Sequence, residues 1–273
     1  MESLEAELDR ARDLDVELLA DAIESIGFEC TRCGGCCTGY APDEPGGAPA
    51  GAGSGAVDRD DTGESSGGHG DTGQDSGGHG DTDDCHETRE PHTATVFPDE
   101  VRAVADAAEE RFGEAYDWRD VARPMPYGLT ETENGESEGE TFEWALATDD
   151  CGDCTFYTET DGQGACTVHD DRPLICQTYP FSVALGGTSQ PMGEAVDGSG
   201  IVRAHECEGL GRDIDRADAE DLAAALKERA VRELQEAIGV RDGYDPTAGE
   251  RGNGVVVFDS EGPKRADGTP IGE

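Results

Sequence analysis

The sequence predicts one small, irregular α+β domain that is interrupted by a long insertion. Three observations support this class: apolar residues recur at helical spacing near both ends, a strand–turn–strand pattern lies between them, and a glycine-rich segment splits the chain. Of the 273 residues, about 150 to 180 remain to build a core once segments without large apolar side chains are set aside. That is enough for a single modest domain.

The first predicted element is a helix over residues 3 to 26. Its apolar face is formed by Leu4, Leu8, Ala11, Leu18, Ala22 and Ile26, at the spacing of an amphipathic helix. Gly27 is the expected end of the helix, because glycine accepts the backbone conformation that terminates one. The helix leads directly into a group of cysteines.

Residues 41 to 91 are predicted to be a disordered insertion rich in Gly, Asp and His. A ten-residue unit occurs at 61–70 and again at 71–80, and neither copy has an apolar face to bury against a neighbour. Histidines inside the segment permit a weak metal-scavenging role. Repeat expansion without a specific function is the favoured interpretation.

The middle of the chain predicts a second helix and several strands. The helix covers about 99 to 112, an acidic loop covers 129 to 140, and 141–146 alternates like a half-buried strand. Residues 155–158 and 165–168 read as the two strands of a hairpin, because Asp161-Gly162 between them is a turn signal.

The C-terminal part predicts a loop at 185–200 and then a helix that is capped by Asp218 and ends at Gly239. The tail over 241–273 is expected to be mostly flexible, apart from a short strand at 255–258. The predicted domain therefore comprises residues 1–40 and 92–240.

A net charge of −43 dominates the composition, with 63 acidic residues against 20 basic ones. At molar salt the Debye length is about 3 Å and the self-repulsion is largely screened, so the charge indicates a halophilic, salt-rich cytoplasm. The same charge argues against binding to nucleic acid or to an anionic membrane. No signal peptide or membrane span is evident, and a cytoplasmic location is expected.

Ten cysteines are the strongest chemical feature. Four of them form the group Cys30-x2-Cys33-x2-Cys36-Cys37. Two-residue gaps let neighbouring sulfurs point into one small volume, and Gly34-Gly35 offers the backbone freedom that a tight wrap needs. Thiolates are soft ligands that select zinc, Cu(I) or iron–sulfur clusters over hard cations.

A second group of cysteines lies in the other half of the chain, at Cys151, Cys154, Cys166, Cys176 and Cys207. Buried free thiols or disulfides are the alternative to metal ligands, but this density of cysteine in a reducing compartment favours metal. The first group departs from a bacterial-ferredoxin run, which would read C-x2-C-x2-C-x3-C-P. The spacing leaves zinc and iron–sulfur open, and eight sulfurs would fill two four-ligand sites or one polynuclear site.

The first cysteine group, combined with the segment from Cys166 to Phe181, resembles the YkgJ family of cysteine-cluster proteins, described as a zinc- or iron-chelating domain. The resemblance covers residues of about 25 to 210. It implies one ligand set, namely Cys30, Cys33, Cys36, Cys37, Cys154, Cys166, Cys176 and Cys207. Cys85 and Cys151 fall outside the pattern and are predicted to be extra thiols.

Residues beside the cysteines have predicted roles as neighbours. Arg172 is expected to offset thiolate charge, and His169 and His205 are expected to lie near the site without ligating metal. Tyr179-Pro180-Phe181 is expected to pack over the site.

These features predict a metal-binding protein that holds zinc or an iron–sulfur cluster, with no reaction assigned and a protein partner left open. The alternative is an iron–sulfur redox enzyme or electron-transfer protein. A similar domain occurs in flagellin lysine N-methylases, but no glycine-rich methyl-donor loop follows a strand in this sequence.

Overall fold

The structure is a computed structural model that describes residues 3–40, 89–185, 195–249 and 254–272. The predicted insertion therefore lies almost entirely outside the described residues. The helices are α1 (Leu4–Arg12), α2 (Val16–Ile26), α3 (Pro98–Phe112), α4 (Trp118–Val121), α5 (Leu174–Thr178) and α6 (Arg216–Gly243), with a 3₁₀ turn at His169–Asp171. No helix within these ranges is long and apolar enough to cross a membrane.

The strands form four small sheets, which confirms the α+β class. They are β1 (Thr95–Val96), β2 (Ala122–Pro124), β3 (Leu129–Glu131), β4 (Ser137–Thr141), β5 (Trp144–Leu146), β6 (Tyr157–Thr160), β7 (Gln163–Cys166), β8 (Phe181–Val183), β9 (Asp197–Ser199), β10 (Val202–Ala204), β11 (Val255–Asp259) and β12 (Gly262–Arg265). The sheet orders are β1-β5-β2, β8-β10-β9, β12-β11-β4-β3 and β6-β7.

The predicted single helix over residues 3 to 26 is wrong, because the chain breaks into α1 and α2. Asp15 caps α2 by accepting hydrogen bonds from the backbone N–H groups of Glu17 and Leu18, a local bond that competes with a continuous helix. The predicted end is confirmed, since Gly27 is the C-cap with φ of 79°. Both helices pack on α6 around a core that is formed by Leu8, Leu19, Ile23, Phe181, Val202 and Leu226.

A second core lies between α3 and the sheet β1-β5-β2. Trp144 of β5 is 1% exposed there, and it donates a hydrogen bond from Nε1 to Asp259 at 2.8 Å. The strand predicted at 141–146 is split, because Thr141 is the last residue of β4 while residues 144–146 form the separate strand β5. All three residues of β5 are buried. The predicted alternation of buried and exposed side chains is therefore wrong for this segment.

The acidic loop predicted at 129–140 is also wrong, since β3 and β4 pair there as an antiparallel hairpin. Strand β11 pairs with β4 in parallel and β12 pairs with β11. The strand predicted at 255–258 is confirmed, and the described residues beyond it contain a second strand. This acidic segment has little apolar character of its own. Its strand β4 is hydrogen-bonded to β11, which lies far away in the sequence.

Helix α6 begins and ends at other residues than predicted. Asp215 is the N-cap and accepts from the Asp218 N–H, so Asp218 lies inside the first turn. Gly239 does not end the helix, which continues to Gly243. A Cβ at Gly239 would lie 2.6 Å from the Ser260 Cβ, so this glycine permits close packing against the turn that follows β11.

The hairpin is confirmed as β6 and β7, joined by Asp161 and Gly162, both with positive φ. Within the loop predicted at 185–200, residues 197–199 instead form β9, while 186–194 lie outside the described residues. These elements bring the cysteine-bearing segments together at one side of the second core.

Candidate metal centre

The first cysteine group forms a tight turn directly after α2. The Cys37 N–H donates to the Gly34 carbonyl at 2.7 Å, and the Thr38 N–H donates to the same oxygen at 3.2 Å. Gly34 has φ of 79°, and a Cβ there would lie 2.3 Å from the Tyr157 hydroxyl. The positive φ favours glycine at this position, and a side chain there would also have to displace the Tyr157 ring. This agrees with the backbone freedom predicted for Gly34-Gly35.

Backbone hydrogen bonds fasten this turn to Cys154, which precedes β6, and to the hairpin that ends at Cys166. The Cys154 N–H donates to the Cys37 carbonyl at 2.8 Å, and the Gly164 N–H donates to the Arg32 carbonyl at 2.8 Å. Asp153 adds a side-chain contact, since its Oδ1 accepts from the Gly39 N–H at 2.7 Å. Cysteines more than 100 positions apart in the chain are thereby neighbours in space.

A second set of contacts brings Cys207 beside Cys30. The Glu29 N–H donates to the Gly209 carbonyl at 3.0 Å, and Phe28 forms an isolated antiparallel β-bridge with Leu210. The Gly209 N–H points at the Cys207 sulfur, 3.4 Å away. An amide directed at a sulfur stabilises the thiolate over the thiol.

The eight predicted cysteines divide into two groups by their surroundings. The inner set, which consists of Cys37, Cys154, Cys166 and Cys176, lies in or against the second hydrophobic core. The outer set consists of Cys30, Cys33, Cys36 and Cys207, of which the first three are exposed and the last is half-buried. All eight are free thiols.

Burial governs the inner thiols. It raises the pKa of Cys154 to about 11 and the pKa of Cys176 well above its usual value. The thiolates of neighbouring cysteines add to the rise: Cys176 interacts electrostatically with Cys154, Cys36 and Cys166. These groups are close enough to oppose one another's ionisation, so a cation among them would be strongly favoured.

Cys36 belongs to the outer set by its exposure, but it also lies close to the inner thiols. Its sulfur is 3.8 Å from that of Cys37, and a hydrogen bond from the Cys37 thiol lowers the pKa of Cys36 to about 7, while the same bond raises the pKa of Cys37. On the outer side, burial raises the pKa of Cys207 to about 11, with Cys33, Cys36 and Cys30 as its charged neighbours.

Arg172 lies beside the cysteines, in agreement with its predicted role. Its positive charge lowers the pKa of Cys36, Cys166 and Cys176. The guanidinium is held by donation from Nε to the His169 carbonyl at 2.8 Å. A single cation offsets only part of the negative charge that several thiolates would carry.

Two of the histidines, His169 and His205, contact side chains other than the cysteines, and a third, His92, was not singled out by the sequence. His169 is exposed and lies 3.3 Å from Asp170, while Nε2 of buried His205 lies 2.8 Å from the Ser182 hydroxyl. His92 is 8% exposed, and its Nε2 lies 2.8 Å from the Cys36 carbonyl, so the ring holds the cysteine turn in place. Burial lowers its pKa to about 4, which keeps it neutral. Its sequence position beside the glycine-rich segment concealed this role.

Two cysteines outside the predicted ligand set remain. Cys151 was predicted to be an extra thiol, and this is wrong because it is disulfide-bonded. Its two-residue spacing from Cys154 therefore does not make a ligand pair. Cys85 lies outside the described residues.

The donors fit a soft metal by their chemistry, since thiolates are the preferred ligands of zinc and of iron–sulfur clusters. Among the described residues, no three side chains of His, Cys, Asp or Glu are placed as the ligands of one ion. The fit accordingly depends on the type, number and neighbourhood of the sulfurs.

Comparison with known protein families also indicates a metal-chelating domain. Residues 85–208 match the family model "CxxCxxCC: Putative zinc- or iron-chelating domain", which confirms the resemblance to a cysteine-cluster family over this part of the chain and supports metal binding by a zinc- or iron-chelating domain. The match contains Cys154, Cys166, Cys176 and Cys207, and it begins after the Cys30–Cys37 group. No curated protein and no solved structure matches the chain significantly.

Proposed function

We propose that the protein binds zinc or an iron–sulfur cluster through eight cysteine thiolates, Cys30, Cys33, Cys36, Cys37, Cys154, Cys166, Cys176 and Cys207. The observation that carries the proposal is the hydrogen bond from the Cys154 N–H to the Cys37 carbonyl, because it joins the first cysteine group to the second. Eight free thiols in two adjoining sets supply the ligands that two four-coordinate ions or one larger cluster require.

The bound metal would hold the thiols as thiolates and join loops that have few apolar contacts of their own. Since the inner thiols are protonated near neutral pH without metal, binding must displace their protons. The free energy of binding then adds to the free energy of folding. This contribution is substantial for a chain whose aromatic content is 5%.

Redox or electron-transfer chemistry at an iron–sulfur cluster is a second candidate. The exposure of Cys30, Cys33 and Cys36 favours it, because solvent exposure is one determinant of cluster potential and brings a cofactor within reach of a partner. Binding without a reaction remains the leading proposal, since no acid–base or nucleophilic constellation accompanies the cysteines among the described residues.

Anaerobic purification followed by metal and sulfide analysis and a visible spectrum tests both candidates. A colourless protein with stoichiometric zinc supports the first, and a brown protein with iron and sulfide supports a cluster. Cys166→Ser should lower the metal content, whereas the matched change Cys151→Ser should leave it unaltered. Absence of stoichiometric metal in the unmodified protein would refute the proposal.

A further inference from the structure

We propose that a cavity between α6 and the strands β1, β4 and β5 binds a small organic cation of the quaternary ammonium type, in which alkyl groups surround the positive nitrogen. The cavity has a volume of about 440 Å³, which is within the range of about 300–1,000 Å³ that small-molecule sites occupy. No cysteine is among the described residues that line it. This site is therefore separate from the proposed metal centre and does not depend on it.

Aromatic side chains supply much of the wall of this cavity. Phe97 and Trp144 are buried, whereas Tyr127 is 66% exposed and Phe142 is 47% exposed. Aromatic residues make up only 5% of the chain, so four rings around one cavity are a marked concentration. The face of an aromatic ring carries partial negative charge and attracts cations, most strongly where water is excluded.

Acidic side chains from both sides of the cavity add negative charge. Glu233 and Glu236 reach it from α6, and Glu143 reaches it from the loop between β4 and β5. Burial raises the pKa of Glu233 and of Glu236, and the charge of Glu143 also raises the pKa of Glu233. Carboxylates that oppose one another's ionisation in this way are stabilised by a cation placed near them.

The basic residues nearby offset this negative charge only in part. Glu233 accepts from Arg229 Nε at 2.6 Å through one oxygen, while its second oxygen has no hydrogen bond among the described residues. Arg241 is the one basic residue among the described lining residues. It is already paired with Glu5 at 2.7 Å and with Asp242 at 2.8 Å. The cavity therefore complements a positively charged ligand.

The chemistry of the walls narrows that ligand to an alkylated cation. A bare metal ion needs several converging ligands, and no three side chains of His, Cys, Asp or Glu in the described part of the chain are placed around one ion. An anion would be repelled by the carboxylates, and a neutral apolar molecule would remove water from them without compensation. A quaternary ammonium group joins positive charge to an apolar surface, so it suits the carboxylates and the rings together.

Calorimetric titration of the full-length protein with choline tests the site. The neutral probe of the same shape is the carbon analogue of choline, in which a tert-butyl group replaces the trimethylammonium group. We expect choline to bind, and the neutral analogue to bind at least about tenfold more weakly, because it lacks the charge that the rings and the carboxylates attract.

Substitutions at the cavity distinguish it from the rest of the surface. Tyr127→Ala and Phe142→Ala should each weaken choline binding about twofold to thirtyfold, the loss expected when a cation–π contact is removed. Phe112→Ala is the matched control and should leave choline binding unchanged, because Phe112 is 44% exposed but does not line the cavity. Glu236→Gln keeps an oxygen for the Ser260 N–H, and it should weaken the binding of choline but not that of the neutral analogue.

Three results would each overturn the proposal: no binding of choline at millimolar concentration, equal binding of choline and its neutral analogue, or equal losses in Phe142→Ala and Phe112→Ala. If Phe142→Ala does not fold, Tyr127→Ala replaces it in the comparison, since Tyr127 is the more exposed residue. Metal content is measured separately, so a failure of choline binding leaves the proposed metal centre untouched.

Discussion

Cys36 and Cys37 are adjacent in sequence, yet their surroundings differ. Cys36 is exposed, and its carbonyl is held by buried His92. Cys37 packs against the second core, and its carbonyl accepts from the Cys154 N–H. The contrast is largest between Cys154, which is 7% exposed, and the exposed Cys30 and Cys33. Identical thiol chemistry is thus placed once at the surface and once against the core, and we expect these surroundings to determine how firmly each thiol holds a metal.

Acidification is expected to produce the largest difference between the sets. The pKa of every inner thiol is raised, so all four are protonated at neutral pH and each must lose a proton to bind metal. Zinc affinity of the inner set should fall about ten-thousandfold per pH unit on acidification, tenfold for each of four protons. Competition titrations over about pH 6 to 7.5 measure this slope. They use the Cys33→Ser variant, because it lacks one thiol of the outer set.

The outer set should show a shallower slope above neutrality, because the pKa of Cys36 is lowered to about 7 and this thiol has already lost much of its proton there. Equal slopes for the two sets would contradict the distinction between them.

Single serine substitutions should separate the sets by stability. Cys154→Ser removes a buried ligand and is expected to lower the free energy of unfolding of the metal-loaded protein by more than about 4 kcal/mol, a size seen only for core or metal-site changes. Cys33→Ser, at an exposed position, should cost less than about 1 kcal/mol. Urea unfolding measures both, and similar losses for the two variants would break the comparison.

Glu100 offers a way to loosen the inner set alone. One carboxylate oxygen accepts from the Leu174 N–H at 2.9 Å and the other from the Phe97 N–H at 3.0 Å, which fixes the start of α5 two residues before Cys176. Glu100→Gln keeps only one acceptor oxygen, and leaving a buried N–H unpaired costs about 1–3 kcal/mol. We expect faster loss of zinc to excess EDTA, measured as the zinc that stays bound after rapid desalting.

The matched control for that substitution is Glu110→Gln on the exposed face of the same helix. It should change neither the stability nor the rate of zinc loss. A rate of zinc loss that is unaffected in Glu100→Gln would show that α5 does not need this carboxylate to hold Cys176.

Arg172→Gln should have the smallest effect. The guanidinium is half-buried and acts on both sets through Cys36, Cys166 and Cys176, so solvent screens much of its charge. We expect metal affinity to fall by less than about tenfold, equivalent to about 1.4 kcal/mol, with a larger loss at low salt than at high salt. Titration at two ionic strengths tests this, and an effect independent of salt would contradict an electrostatic role.

Local signals account for the parts of the fold that sequence reasoning predicted. Asp161-Gly162 adopts the positive φ values that its turn pattern indicates, and Gly27 ends a helix as expected. The errors arise where distant contacts decide. Gly239 remains helical because Ser260 packs against it, and the acidic segment at 129–141 becomes a hairpin in a sheet with β11. Neither contact has a signature in the neighbouring residues.

The candidate site shows the same difference between what local signals predict and what distant contacts decide. Cysteine spacing and family resemblance name the thiols, but burial separates Cys154 from Cys33, and burial depends on the assembled core. His92 was missed because its partner is a backbone carbonyl 56 positions away, which leaves no mark in the spacing of metal ligands. The disulfide at Cys151 was missed because cysteines in a reducing compartment are expected to stay as free thiols.

X-ray absorption at the metal edge of the purified protein tests the central claim most directly, because it reports the atoms bound to the metal. The account predicts a shell of four sulfur atoms per metal, at about 2.3 Å for zinc, that persists in Cys151→Ser. A shell dominated by oxygen or nitrogen would contradict it, since the metal would then be held by the carboxylates or histidines of this acidic chain and not by its cysteines.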